Sequence, residues 1–179
     1  MGLSEKTLGC ISVNRPGICL FFCGSRQIIT KGAIIMKADH KVPMIYHNNP
    51  TECGAAVLSM VLEYYGKSVS YSLLCNKTIH KDEELGYLTS AGLIYRAARE
   101  FDLECRGFRR DVDGLLKTSL PCILHWEMNS FVVLEQADED HFQICDPDAG
   151  RRKINREEME QKFSNVVLTL QPTDQFLPD

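Results

Sequence analysis

The sequence lacks the cysteine and histidine spacings of a metal-binding protein. None of its eight cysteines forms a Cys-x-x-Cys pair, and none stands with histidine at zinc-finger spacing. Three of them, at positions 105, 122 and 145, lie inside apolar runs, where cysteine acts as a small hydrophobe. We therefore expect no metal and no other cofactor.

The chain also lacks long apolar runs and an excess of positive charge. No stretch approaches the roughly 20 apolar residues of a membrane helix, and no basic cluster precedes a signal-peptide core. These absences, with the buried cysteines, favour a reducing, cytoplasmic location. A net charge of −4 argues against nucleic acid or an anionic membrane as the main partner.

A nucleotide site is excluded by a missing glycine. Gly66-Lys67-Ser68 matches the end of a Walker A loop, but Val61 stands where the first glycine of that loop should be. The segment also ends a predicted helix, whereas a phosphate-binding loop precedes one. No phosphate cradle is predicted here.

The patterned part of the chain begins after about residue 35. The 179 residues are 44% apolar and 25% charged, which is typical of a globular protein. Residues 1–35 contain three cysteines and a short apolar patch but show no sustained periodicity. We predict a poorly ordered N-terminal extension over residues 1–35 and one domain over residues 36–179.

The stretch from Thr51 to Gly66 predicts a helix that carries a cysteine in its first turn. Thr51 suits the N-cap position and Gly66 suits the position after the last turn. The positive end of the helix dipole favours the thiolate of Cys53, as a nucleophile requires. A lone cysteine at a helix start is nevertheless more often a small buried residue, so the function depends on its partners.

The remaining pattern predicts helices first and strands afterwards. Residues 76–88 read as an exposed polar loop, and Thr89 or Ser90 caps a helix that reaches Phe101. Short apolar strands joined by polar turns follow from Leu103 to Leu170 and indicate an antiparallel meander. This order is that of an α+β fold.

A cysteine nucleophile needs a base and a group that orients the base, and several candidates exist. The histidines at positions 80 and 141 lie in polar surroundings and are expected at the surface. His125, beside Trp126 in an apolar run, is as easily a partly buried structural residue.

His47 lies six residues before Cys53, and Asp146 is either an orienting carboxylate or part of a turn. The spacing of these residues alone neither establishes nor excludes a cysteine hydrolase.

A series of motifs resembles a known family from about Val42 to Asp179. In chain order they are Glu52-Cys53-Gly54-Ala55-Ala56 with Tyr64-Tyr65-Gly66-Lys67, Ala97-Ala98-Arg99, Gly107-Phe108-Arg109, Pro121-Cys122-Ile123-Leu124-His125-Trp126, Asn129-x-Phe131-Val132-Val133-Leu134 and Asp146-Pro147-x-x-Gly150. They are similar to the papain-like cysteine peptidase domain of ABC exporters for bacteriocins and modified peptides, most of all the type that accompanies nitrile-hydratase-type leaders. The resemblance implies a papain-like fold with N-terminal helices packed on a C-terminal antiparallel sheet.

The resemblance also implies residue roles, a substrate and partners. Cys53 matches the nucleophile and Asp146 the carboxylate that orients the base. The position of the base histidine is Ser130, and the position of the oxyanion glutamine is His47. The implied substrate is a double-glycine leader peptide, cut after its Gly-Gly or Gly-Ala end. The implied partners are the membrane and ATPase parts of an exporter, at the cytoplasmic face of the membrane.

Ser130 leaves two functional hypotheses open. A serine hydroxyl cannot accept the thiol proton at neutral pH, so catalysis is expected to be impaired or lost unless His47 substitutes as the base. The first hypothesis is a leader-cleaving cysteine endopeptidase, and the second is a non-catalytic module that docks leaders for an exporter. A serine introduced deliberately to trap a substrate complex would give the same sequence.

Overall fold

The computed structural model describes the backbone of residues 19–23 and 26–30, and residues 41–84 and 86–179 in full. The chain divides into two compact units, residues 1–40 and 41–179. In the first unit, β1 (Cys19–Cys23) and β2 (Arg26–Thr30) pair in antiparallel fashion. This hairpin was not predicted from the sequence, because the apolar patch is too short to show an alternation of apolar and polar residues. The predicted disorder of residues 1–35 stays a prediction, since most of them lie outside the described residues.

The second unit contains five α-helices and a preceding 3-10 turn. The 3-10 turn is Pro50–Glu52, and the helices are α1 (Cys53–Tyr64), α2 (Tyr71–Thr78), α3 (Ala91–Glu100), α4 (Val112–Leu115) and α5 (Arg156–Lys162). Gly66, with φ of +87°, follows α1 as predicted and adopts the left-handed conformation that only glycine reaches without strain. The Ser90 side chain accepts a hydrogen bond from the Leu93 N–H and caps α3, as predicted.

Eight strands complete the second unit. They are β3 (Ile79–Asp82), β4 (Gly86–Thr89), β5 (Leu103–Arg109), β6 (Cys122–Trp126), β7 (Ser130–Ala137), β8 (His141–Asp146), β9 (Gly150–Asn155) and β10 (Phe163–Pro172). Six of them form one antiparallel sheet in the order β5-β10-β6-β7-β8-β9. The predicted meander is confirmed, although β9 was not foreseen because most of its residues are polar.

The prediction of an exposed loop over residues 76–88 is wrong. The first of these residues finish α2, and the rest form the β3–β4 hairpin. Gly86 has φ of +77°, and the Asp82 side chain accepts a hydrogen bond from the Glu84 N–H within the turn. These strands are mostly exposed on both faces, so the sequence carries no apolar alternation that would reveal them.

Helices cover both faces of the six-stranded sheet. All ten residues from Cys53 to Leu62 of α1 are buried, and this helix lies on the face that presents Phe131, Val133 and Cys145. The opposite face, with Val132 and Phe142 among its residues, packs against α4 and α5. The predicted α+β arrangement is therefore confirmed. Within the described residues, no helix is long and apolar enough to cross a bilayer.

The central position of α1 gives a direct test of the core. Leu58 is fully buried in α1, whereas Leu177 is 74% exposed. We predict that Leu58→Ala lowers the free energy of unfolding by about 2–5 kcal/mol, because a cavity remains where the side chain was. The matched change Leu177→Ala should stay within about 0.5 kcal/mol of the unmodified protein. Urea denaturation measures both, and equal losses would contradict the described packing.

Candidate active site

A short turn places Cys53 at the start of α1. Asn49 caps the 3-10 turn with its side chain, which accepts a hydrogen bond from the Thr51 N–H at 3.5 Å. The Cys53 N–H then donates to the Pro50 carbonyl. Glu52 is the N-cap residue of α1 and makes no side-chain capping bond. The prediction that Thr51 caps the helix is therefore wrong, because the 3-10 turn shifts the N-cap of the α-helix by one residue, to Glu52.

Gly54 is required by the close approach of the β3–β4 hairpin. A Cβ atom at this position would lie 2.2 Å from Thr89 Oγ1 and 3.3 Å from Ile94. Thr89 ends β4 and precedes α3, so a larger residue after Cys53 would push these elements away from the helix start. The Cys-Gly pair thus reflects packing against the hairpin.

Cys53 faces Ser130, the first residue of β7. The Ser130 hydroxyl and the Phe131 N–H donate hydrogen bonds to the Cys53 sulfur, and both bonds favour the thiolate. Burial outweighs them and raises the pKa of the thiol above its ordinary value of 9.0. The N–H groups of Cys53 and Gly54 at the start of α1 also favour the thiolate, as the sequence predicted. Desolvation of the buried sulfur is the larger effect.

A cleft of about 380 Å³ is lined by three of the four residues that the sequence singled out, namely His47, Ser130 and Asp146. Cys53 is 1% exposed and does not line the cleft, but the Ser130 hydroxyl contacts its sulfur. Trp126 also lines the cleft, because it pairs with Ser130 across the β6–β7 hairpin. The structure thus brings the predicted site residues to one place, while their catalytic roles stay predictions.

Asp146 is fixed by its own turn and by an arginine. It ends β8, and its Oδ1 accepts hydrogen bonds from the N–H groups of Asp148 at 2.9 Å and Ala149 at 3.3 Å. Its Oδ2 lies 3.4 Å from Nη2 of Arg152. The Nη1 atom of the same arginine lies 3.3 Å from Oε1 of Glu158. The carboxylate is therefore both a turn residue and a cleft residue, so the two alternatives from the sequence are compatible. Sequence reasoning missed Arg152, because β9 shows no clear period.

His47 lies in the extended segment before the 3-10 turn. Its backbone N–H donates a hydrogen bond to the Pro147 carbonyl at 3.4 Å, and its half-buried side chain lines the cleft. Upstream, the buried Glu135 carboxylate accepts a 2.6 Å hydrogen bond from the Val42 N–H and pairs with Arg151 at 3.1 Å. These contacts hold the segment against the edge of the sheet that carries Asp146.

The other described histidines lie away from Ser130. His125 pairs in register with Phe131, and the two ring centroids are 5.0 Å apart. His125 therefore stands one position away from the pair that Trp126 and Ser130 form, and it does not line the cleft. Burial lowers the pKa of His125. His80 and His141 are exposed, as predicted.

An apolar groove of about 450 Å³ adjoins the cleft. Pro50 and Asn129 line both. The hairpin and the β6–β7 turn form the walls of the groove, with Tyr87, Leu88 and Met128 as exposed apolar residues. Such a surface is suited to a peptide with an apolar face.

The described residues offer no obvious metal site. Across residues 41–84 and 86–179, no three histidine, cysteine, aspartate or glutamate side chains come together as ligands would. The chemistry that the site supports is that of the Cys53 thiol and its hydrogen-bond donors.

The contact between Ser130 and Cys53 predicts a change in thiol reactivity. Ser130→Ala removes a hydrogen bond to the thiolate, so the pKa of Cys53 should rise further and its thiolate fraction at pH 8 should fall. We expect alkylation of Cys53 by iodoacetamide to become roughly threefold to tenfold slower. Peptide mass mapping over time gives the rate at Cys53. The exposed change Ser72→Ala is the control, and an equal slowing there would contradict the contact.

Comparison with known proteins gives a family match over most of the chain. The profile of the peptidase C39 family matches residues 41–175. The colicin V secretion/processing ATP-binding protein of Escherichia coli is 32% identical over 151 residues, which are 84% of this chain and 21% of that protein. The chain thus spans about a fifth of the length of this curated relative.

Solved structures show the same fold. A double glycine motif protease from an AMS/PCAT transporter, in complex with its leader peptide, is 34% identical with a TM-score of 0.68 and covers 76% of this chain and 96% of its own. The peptidase domain of Streptococcus ComA, a bi-functional ABC transporter, has a TM-score of 0.65 at 22% identity, covering 75% and 99%. The predicted papain-like fold is confirmed, and the chain belongs to the peptidase C39 family.

Proposed function

We propose that residues 41–179 recognise the double-glycine leader of a bacteriocin or modified peptide, and that their cleavage of it is impaired. Membership of the peptidase C39 family supports the first part, as does the similarity to a double glycine motif protease in complex with a leader. We further propose that the domain works with the membrane and ATPase parts of an exporter, at the cytoplasmic face of the membrane. The ATP-binding relatives support this partner.

The observation that carries the impairment is the set of groups around the Cys53 sulfur. Its side-chain partner is the hydroxyl of Ser130, and its burial raises the pKa of the thiol. A serine hydroxyl donates a hydrogen bond but cannot take the thiol proton at neutral pH. General base catalysis contributes roughly 10²–10⁴-fold, so a thiol without its base should react slowly.

The apolar groove supports leader binding. An amphipathic peptide helix lays its apolar face into such a groove, and the exposed side chains of Tyr87, Leu88 and Met128 offer this contact. The groove shares Pro50 and Asn129 with the cleft that Ser130 and Asp146 line. An extended Gly-Gly end would therefore lie in the cleft beside Ser130 while the rest of the leader occupies the groove.

A second candidate is an active endopeptidase in which His47 is the base. His47 lines the same cleft as Ser130 and Asp146, which is the observation in favour of it. Against it, the side chain that donates a hydrogen bond to the Cys53 sulfur is that of Ser130. The first proposal therefore has the stronger support.

A cleavage assay separates these functions. We expect the protein to bind a double-glycine leader with little cleavage, and Ser130→His to raise the cleavage rate by roughly 10²-fold or more, since it supplies a base beside Cys53 and Asp146. Fluorescence anisotropy measures binding, and mass spectrometry detects the product. Cys53→Ala is the inactive control.

Two outcomes would contradict the proposal. Cleavage by the unmodified protein that disappears in Cys53→Ala and also in His47→Ala would establish His47 as the base. Failure of every form to bind the leader would reject leader recognition itself.

A matched pair of substitutions tests the groove. Leu88 and Leu116 are 38% and 37% exposed, but only Leu88 lines the groove. Leu88→Glu should weaken leader binding by about tenfold or more, because a carboxylate must be desolvated when the leader covers it. Leu116→Glu should leave the Kd unchanged, and an equal effect of both would place the leader elsewhere.

A further inference from the structure

A polar pocket of about 270 Å³ lies at the β5 edge of the six-stranded sheet. Residues of β5, of β10 and of the segment that follows α4 line it, among them Arg106, Arg110, Lys117, Ser119 and Thr169. We propose that this β5–β10 pocket binds the phosphate group of a small anionic ligand. None of its lining residues also lines the cleft or the apolar groove, so phosphate binding here does not depend on leader recognition.

The β5–β10 pocket lies on the face of the sheet that is turned away from α1. Cys105 of β5 and Leu170 of β10 pair with each other and belong to the core around α1. Because side chains alternate between the two faces of a strand, Arg106 and its partner Thr169 point to the other face. A ligand in this pocket is therefore separated from α1 by the sheet.

Arg110 brings a positive charge that no neighbouring carboxylate neutralises. Within residues 41–84 and 86–179, its guanidinium forms no ion pair, and its Nε is buried without a hydrogen-bond partner. By contrast, Arg151 pairs with Glu135 at 3.1 Å. A buried N–H without an acceptor costs free energy, and an anion beside the guanidinium compensates its charge.

Three contacts hold the Arg110 side chain at the pocket. Its backbone N–H donates to the Asn165 carbonyl at 3.0 Å, and its carbonyl accepts from Nδ2 of Asn165 at 2.9 Å. An added Cβ at Gly114 would lie 3.0 Å from Cβ and 3.4 Å from Cδ of the arginine, so α4 packs against its stem. Its Cζ lies 4.9 Å from the centroid of the Phe108 ring. The guanidinium is thus ordered before a ligand arrives, which lowers the entropy lost on binding.

The other charged residues make the β5–β10 pocket cationic. Lys117 is exposed and forms no ion pair within the described residues. The Nε and Nη2 atoms of Arg106 donate to Oε1 of Glu104 at 2.9 and 2.5 Å, which leaves its Nη1 for a ligand. Together with Arg110, the lining residues provide three cations and one carboxylate, a net charge of +2. This charge favours an anion that carries two negative charges.

A phosphate group suits this set of donors. It carries about −1.5 to −2 charges at pH 7 and three acceptor oxygens. Arginine presents a planar fork of N–H donors that matches two of these oxygens, and lysine supplies a point charge. The hydroxyls of Thr118 and Thr169 donate to backbone carbonyls, whereas the exposed Ser119 hydroxyl can donate to the ligand. The pocket therefore offers charge and geometry that a carboxylate would use less fully.

Calorimetric titration of the full chain with inorganic phosphate tests the pocket. At constant ionic strength we expect saturable binding, and Arg110→Gln should raise the Kd for phosphate roughly tenfold or more, because hydrogen bonds to a charged group are lost. Arg109→Gln is the matched control, since Arg109 is the neighbouring exposed arginine and does not line the pocket. Absence of saturable binding to the unmodified protein, or an equal effect of both substitutions, would overturn the proposal.

Lys117→Gln keeps the test independent of folding. Replacing Arg110 also removes its packing against Phe108 and α4, whereas Lys117 is exposed. We expect Lys117→Gln to unfold at the same temperature as the unmodified protein and to raise the Kd for phosphate roughly threefold. Arg110→Lys, which retains the charge but not the planar fork, should raise the Kd less than Arg110→Gln. An unchanged Kd in Lys117→Gln would place the phosphate elsewhere.

Two phosphate compounds distinguish a soluble ligand from a lipid headgroup. Glycerol 3-phosphate carries the group in solution, and vesicles of phosphatidylcholine with phosphatidic acid carry it on a lipid surface. Binding of glycerol 3-phosphate that Arg110→Gln weakens supports a soluble ligand, which the net charge of −4 of the chain favours. Cosedimentation with the vesicles that Arg110→Gln abolishes, without binding of glycerol 3-phosphate, would overturn the assignment to a small ligand. A Kd for acetate equal to that for phosphate would reject phosphate as the ligand class.

Discussion

The burial of α1 against the six-stranded sheet is the constraint on which the site depends. The first ten residues of this helix are inaccessible, so neither its axis nor its first residue can shift without opening the core. This packing places Cys53 against Ser130 and Phe131 at the start of β7. The Gly54–Thr89 contact fixes the same point from the side of the β3–β4 hairpin.

The same burial determines the chemical state of the thiol. A helix N-terminus favours a thiolate, and here two hydrogen bonds from β7 do so as well. Desolvation nevertheless dominates and raises the pKa of Cys53. A thiol in this environment depends on a base to become a nucleophile, and Ser130 is not one. The reactivity of this thiol therefore depends on the residue at the start of β7.

Asp146 and its surroundings are held in place by short-range contacts. The turn after β8 holds the carboxylate by backbone hydrogen bonds, and Arg152 adds a weak contact from β9. His47 reaches the cleft because its own backbone is bonded to the Pro147 carbonyl of that turn. The cleft thus has a fixed carboxylate at one side and the short side chain of Ser130 at the other.

The fold class, the buried cysteine helix and the meander could be predicted from the sequence. Apolar periodicity and cap residues are local signals, and the motifs around Cys53, Ser130 and Asp146 are each contiguous in the chain. The β3–β4 hairpin, the strand β9 and the contact of Arg152 with Asp146 became visible only in the folded chain. These elements pair with near neighbours in the chain, but their polar residues show no alternation of apolar and polar positions that would have revealed them. The pKa of Cys53 was also a tertiary outcome, because desolvation depends on everything that covers the sulfur, whereas the helix dipole can be read from the local sequence.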